Sequence, residues 1–411
     1  METNQLHKEK GRSVSLLAFF CLYIAQSIPS SFFATALQVM MREANYSLTT
    51  IGLLQIVKLP WVLKFLWSPL VDRHCLTWRD FRRCIIVSES VYALFILLAG
   101  HLDVGNHLYL VIALVCLSLA ASATQDIATD ALAILTHARR DKSRVNSVQS
   151  MGSFGGALVG SGILLLVLHR FGWHIVTPCL AVFVMLMLIP LLNSRNVTIE
   201  PKQARERARL SDFIWFFAQK GIWRQIGFLL LYYASIIGIL SMMRPWLVDL
   251  GYSMQQIGLM SGVLGTSAAF CASFGAGFLV RRIGCSRARV LFALFILGTT
   301  LYFLALSLSA APAAALLYAG IILLWSSYGM ATIVVYTTAM ECVRPGREGT
   351  DFTVQTILTH LSGIAVAALS GTLADRLGYS GLFAAEAVLA AISLVYILIL
   401  FRNTDAAVRH S

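Results

Sequence analysis

Two carboxylates and a lysine set in otherwise apolar sequence carry the chemistry of this chain. Asp126 and Asp130 stand in Ala123-Thr-Gln125-Asp126-Ile-Ala-Thr129-Asp130, and a spacing of four residues puts both on one face of a helix. Like charges that close are stable only with a cation between them or with one carboxyl carrying a proton. A group that gains and loses a proton is what a proton-coupled carrier needs. Lys64 lies in a second apolar run, from Ile51 to Asp72, together with Lys58, Trp61, Trp67, Pro60 and Pro69. At 1.5 Å per helical residue Lys64 is ~12 Å from Asp72, while Asp126 and Asp130 are ~15 and ~9 Å from Thr136. The depths match, so Lys64 is expected to pair with the dyad and to change partner as a carrier cycles. The plainer alternatives are a static ion pair that fixes packing, or a lysine that snorkels to the surface. Lys58, ~21 Å from Asp72 on the same rise, is deep enough to face a watery cavity or a carboxylate.

The elements that must position these groups are membrane helices. Of the 411 residues 58% are apolar and only 13% charged, and the mean hydropathy is +0.75, against about 45–50% and 25% in soluble domains. Long runs such as Leu180 to Leu192 do not alternate, which excludes a transmembrane barrel. Twelve segments, from 14–38 and 48–71 to 352–374 and 380–401, suffice for the ~20 residues a spanning helix needs. With the N-terminus in the cytoplasm, 26 of the 32 Lys and Arg fall in inside segments. Arg42, Arg170 and Arg376 fall outside, and Lys58, Lys64 and Arg244 lie within spans. That asymmetry predicts cytoplasmic N- and C-termini. It also reads the net charge of +12 as a topology signal, with nucleic acid a poor second. The first apolar run is too long for a cleaved signal and reads as an uncleaved span. The eight cysteines form no CxxC pair, so neither disulfide framework nor metal site is expected. No nucleotide loop, HExxH or nucleophile motif argues for an enzyme, no filter sequence argues for a channel, and no cofactor is implied.

The basic stretch from Asn193 to Arg224 divides six spans from six, giving halves of 1–193 and 224–411 joined by a cytoplasmic linker at 194–223. The halves are related: Tyr46-Ser47-x-x-x-Ile51-Gly52-Leu53 returns as Tyr252-Ser253-x-x-x-Ile257-Gly258-Leu259, an offset of 206. Val148-Gln149 returns as Val354-Gln355, and Arg170-x-Gly172-Trp173 as Arg376-x-Gly378-Tyr379, in the same register. A parallel duplication of six spans resembles the major facilitator superfamily, which implies a substrate site near midplane between the halves. That superfamily's cytoplasmic motif is similar to Gly277-x-Leu279-x-Arg281-Arg282-x-Gly284-x-x-Arg287, with Arg281 where the family has Asp, and to Leu70-x-Asp72-Arg73 in the first half. The resemblance makes Asp72, Arg73, Arg281, Arg282 and Arg287 a cytoplasmic gate, in which an Asp accepts from Arg or backbone donors of a neighbouring helix. A merely solvated loop explains the three C-terminal arginines equally well.

Lys58-x-Pro60-Trp61-x-x-Lys64-x-x-Trp67-x-Pro69-x-x-Asp72-Arg73, followed by Thr124-Gln125-Asp126-Ile127-x-x-Asp130, resembles one branch of the superfamily. This branch holds muropeptide permeases, acetyl-CoA transporters and single-subunit siderophore permeases of the bacterial inner membrane. Ala128-Thr-Asp130-Ala-Leu-Ala133 is more similar to the siderophore permeases. The resemblance therefore implies a monomeric, proton-driven importer of ferric siderophores, with muropeptide uptake as the alternative and another solute or drug carrier of the superfamily behind it. For a large anionic cargo the candidate contacts are Lys58, Trp61, Gln125, Arg244, Tyr232 and Tyr336, although each aromatic fits a core or lipid-facing place as well. Gly152, Gly156 and Gly160 mark a face for close helix approach.

Overall fold

The computed structural model describes residues 14–44, 54–194, 197, 199, 208–309 and 312–401. The Tyr46 to Leu53 copy of the repeat, most of the linker between 195 and 207, and residues 402–411 lie outside the described residues. The described chain is helical, and ten of its helices are long and apolar enough to cross a membrane. It divides into two compact units, residues 1–213 with 343–353, and residues 214–342 with 354–411.

Two sequence features explain why ten helices appear where twelve spans are expected. The expected second span is cut into short pieces, Leu54–Lys58, Leu59–Leu63, Lys64–Leu66 and Ser68–His74, the first and third of them 3₁₀ turns. Pro60 and Pro69 sit in the opening turns of the two α-helical pieces, where a missing N–H costs nothing, and each forbids the piece before it from running on. The expected eleventh and twelfth spans form one element, Glu348–Leu400, interrupted at Gly378 with φ of 68°. Gly172, 206 positions earlier, has φ of 77° and separates Leu164–Phe171 from Trp173–Met187. Both members of this repeat pair occupy the left-handed region that glycine enters freely, so each makes the same tight corner.

In the first unit, Leu16–Glu43 is started by Ser15, whose hydroxyl accepts from the Ala18 amide at 3.2 Å. Trp78–Gly100 is started by a capping box between Thr77 and Asp80. Gly152, Gly156 and Gly160 pack directly on Tyr23, Ser27 and Ile28, leaving no space for a Cβ. Around Trp173 the rings of Phe32 and Phe33 gather at 6.1 and 5.8 Å, and the Trp173 indole donates to the Ala99 carbonyl at 3.0 Å. In the second unit Tyr379, the repeat mate of Trp173, joins Trp246, Phe303 and Phe383 in a similar aromatic knot. Duplication has thus preserved a corner glycine followed by an aromatic anchor in each unit.

Candidate functional site

The breaks in the second span decide where its lysine goes. Lys64 opens the 3₁₀ turn Lys64–Leu66, and its side chain is buried against the Val104–Thr136 helix. Its ammonium pairs with Asp126 Oδ2 at 2.5 Å and lies 4.8 Å from the centre of the Trp61 ring. One turn further along, the Trp67 indole donates to Thr124 Oγ1 at 3.1 Å, so the second span is fastened to the fourth at two heights. Lys64 and Asp126 are 5% and 3% exposed, which makes this a desolvated ion pair rather than a surface one.

Asp130 is held differently. Its Oδ1 accepts from the Tyr23 hydroxyl at 2.7 Å and from Gln149 Nε2 at 3.2 Å. The dyad therefore splits its partners: Asp126 faces the cation, and Asp130 faces two neutral donors from Leu16–Glu43 and Lys142–Leu158. Above them Gln26 Nε2 donates to Gln125 Oε1 at 2.6 Å, and the Tyr92 hydroxyl donates to the Gln26 carbonyl at 3.4 Å. Trp61 Nε1 and Gln125 Nε2 are buried donors with no acceptor among the described residues, two hydrogen bonds that remain available beside the ion pair.

The sequence pattern does not point to Tyr23 or Gln26, because a Tyr or Gln in a long apolar helix has no distinguishing spacing. Gln149 carries a signal of its own, the repeat with Gln355. In the second unit Gln355 accepts from Gln225 Nε2 at 2.9 Å and donates to the Ala339 carbonyl at 3.0 Å. At the same offset Asp126 and Asp130 correspond to Thr332 and Tyr336, so the charged cluster belongs to one half of the duplication alone.

Of the other expected contacts in the first unit, Trp61 is half-buried beside the Lys64 ammonium, while Lys58 is exposed. In the second unit Arg244 is exposed and Tyr336 half-buried. Tyr232 is buried, with its hydroxyl donating to the Arg289 carbonyl at 2.8 Å. Arg289 itself is 5% exposed, lies against the rings of Phe228 and Phe401, and donates to Thr338. Its role inside the unit is invisible in sequence, where it is one more basic residue of a loop.

Of the gate residues, Asp72 is the one that is built in. It is 2% exposed and caps the start of Glu348–Leu400 from elsewhere in the chain. Oδ1 accepts from the Gly349 amide at 3.0 Å, and Oδ2 from the Thr350 amide at 2.7 Å and the Thr350 hydroxyl at 2.6 Å. A carboxylate here satisfies orphan helix donors and complements the helix dipole. Burial pushes the Asp72 carboxyl up to about 6, against the hydrogen bonds from Thr350 and Gly349 that pull it down. Arg73, Arg281, Arg282 and Arg287 are exposed. Basic residues from another loop brace the seat: Arg344 forks onto Asp351 and donates to the Asp212 carbonyl at 2.8 Å, while Arg347 pairs with Asp212. No group of three or more metal-ligating side chains gathers among the described residues.

A helical membrane chain with a desolvated Lys–Asp pair in its interior has the make-up of a carrier. The chain belongs to the Major Facilitator Superfamily, whose family model matches residues 16–367, and it is a transporter of that superfamily, not an enzyme. Among curated relatives, the anhydromuropeptide permease of Escherichia coli K12 is 24% identical over 409 residues, covering 96% of this chain and 81% of the relative. Among solved structures, the human organic anion transporter MFSD10 superposes with a TM-score of 0.71 at 15% identity, covering 95% of this chain and all of that one. A bacterial homologue of the iron transporter ferroportin, in its outward-facing state, gives 0.69 at 15% identity over 93% of this chain and 97% of that one. At such identities the two structures speak for the fold alone.

Proposed function

We propose that this transporter is a proton-coupled importer of anhydromuropeptides in a bacterial inner membrane. The observation that carries the cargo is the likeness to the Escherichia coli permease along 96% of the chain. This supports the muropeptide alternative over the siderophore cargo implied by Ala128 to Ala133. The reading keeps twelve spans, with Gly378 dividing the eleventh from the twelfth and the proline-broken pieces making up the second. It also keeps cytoplasmic termini, six-span halves at 1–193 and 224–411 with a linker at 194–223, and a monomer.

In this reading Asp126 and Asp130 are the proton-handling pair. A proton taken up by Asp126 cancels its charge and releases Lys64, whose nearest remaining carboxylate is Asp130, one helical turn away. Loss of the proton draws the lysine back. Trp61 and Gln125 offer their unpartnered donors to the cargo, and Lys58, Arg244, Tyr232 and Tyr336 stay candidate contacts. Asp72 is the latch of the cytoplasmic gate, and Arg73, Arg281, Arg282 and Arg287 stay candidate gate residues.

The test is uptake of a labelled anhydromuropeptide into cells that lack their own permease, with and without a protonophore. Protonophore-sensitive uptake that Asp126→Asn abolishes is the expected result. Entry of a ferric siderophore but no muropeptide overturns the cargo. Uptake in Asp126→Asn with unchanged pH dependence overturns the proton role.

A further inference from the structure

The first unit carries an apolar groove of about 440 Å³, bordered by Ile28, Val159, Val167, Phe171, Cys179 and Phe183 among others. Two backbone irregularities flank it. Val159–Ile163 is a widened π turn between Lys142–Leu158 and Leu164–Phe171, which changes the helical register along one wall. Pro178 interrupts the hydrogen-bond ladder of Trp173–Met187 on the other. Gly160 seats the π turn tightly on Ile28 and Phe32, so the wall cannot collapse inward to close the space.

Length and charge identify the occupant. From Val159 to Phe171 the groove follows twelve residues of helix, ~18 Å at 1.5 Å per residue, slightly more than half of the ~30 Å hydrocarbon core. It therefore runs through one leaflet and ends near the middle. At its surface end stands Arg170, exposed, with its guanidinium 5.7 Å from the ring of Phe171, which lines the groove. Arg170 is also one of only three basic residues that the charge asymmetry leaves on the outer side, so topology gives no reason for it. An apolar channel one leaflet deep with a cation at its mouth matches a lipid chain below a phosphate.

We propose that this groove holds one acyl chain of an anionic phospholipid, with the lipid phosphate on Arg170. The site is separate from the Lys64–Asp126 cluster and does not depend on the cargo.

Native mass spectrometry of the full chain, titrated in detergent with dioleoylphosphatidylglycerol or dioleoylphosphatidylcholine, tests it. The wild-type protein is expected to retain one phosphatidylglycerol about fivefold better than phosphatidylcholine, the factor one basic residue near an anionic headgroup supplies. Cys179→Trp fills the groove from an exposed position and is expected to lose the retained lipid of either kind. Arg170→Gln, at a solvent-exposed site where folding is not at stake, is expected to keep the lipid and lose the preference. Equal retention by Cys179→Trp, with its thermal unfolding unchanged, overturns the groove as the site. Equal retention of both lipids by the wild type, or displacement of phosphatidylglycerol by an equal concentration of oleate, overturns the anionic phospholipid as its occupant.

Discussion

Replacing Asp126 by Asn separates packing from coupling at the ion pair. The amide keeps the shape of the carboxylate but leaves the Lys64 ammonium, 5% exposed, without the partner it now has at 2.5 Å. Asp130 is a poor substitute in the resting arrangement, because its Oδ1 already accepts from Tyr23 and Gln149. Breaking one side of a buried pair costs about 3–5 kcal/mol, whereas replacing both charges by neutral groups of similar volume is near neutral. Asp126→Asn and Lys64→Met alone are therefore each expected to lose about 3–5 kcal/mol, and the double variant to recover most of that loss, so that it falls far short of the sum of the two. The assay is unfolding in bicelles by titration with sodium dodecyl sulfate, followed by tryptophan fluorescence, on all four corners of the cycle at one pH. Single-variant losses that simply add, to within about 0.5 kcal/mol, refute a coupled pair. Uptake then tells the two roles apart. A double variant that is stable but transports nothing supports proton coupling, while a stable double variant with full protonophore-sensitive uptake reduces the pair to packing.

Asp72 gives a pH dependence of defined sign. Its seated carboxyl titrates at about 6 rather than 3.8, so acid favours the seated state and the advantage disappears as pH rises through 6. Between pH 7.5 and 5.5 the seated state should gain about fourfold, read as slower hydrogen exchange of the Gly349 and Thr350 amides after correction for the chemical rate. Asp72→Asn is expected to abolish the change, and faster exchange at pH 5.5 would contradict the assignment. At Gly160 a Cβ runs into the Ile28 carbonyl, so Gly160→Ala is expected to cost about 1–3 kcal/mol of overpacking. Gly162 has open space around it, and Gly162→Ala should be neutral or slightly stabilising in the same unfolding assay.

Much of the molecule is legible in its sequence. Uncharged runs of about twenty residues have few ways to satisfy their backbone except as membrane helices, so the helical membrane class followed from composition. The repeat at 206 identified Gly172 and Gly378 as corresponding positions, and both prove to be left-handed corners. The depth arithmetic set Lys64 between Asp126 and Asp130 because rise per residue is a property of the backbone, and the lysine meets Asp126. Sequence could not say which carboxylate takes the lysine, since that depends on how the proline-broken second span turns against the fourth. It could not find Tyr23 and Gln26, whose roles come from helices 99 or more residues away in sequence. It named Asp72 as a latch but not Gly349 and Thr350 as its seat, because backbone donors carry no residue type to read. The apolar groove was likewise silent: every residue lining it suits a lipid-facing helix, and the space lies between the wall with the π turn and the wall with Pro178. Local chemistry and periodicity are written along the chain, whereas the partner of a buried charge and the shape of a void are set by packing between distant segments.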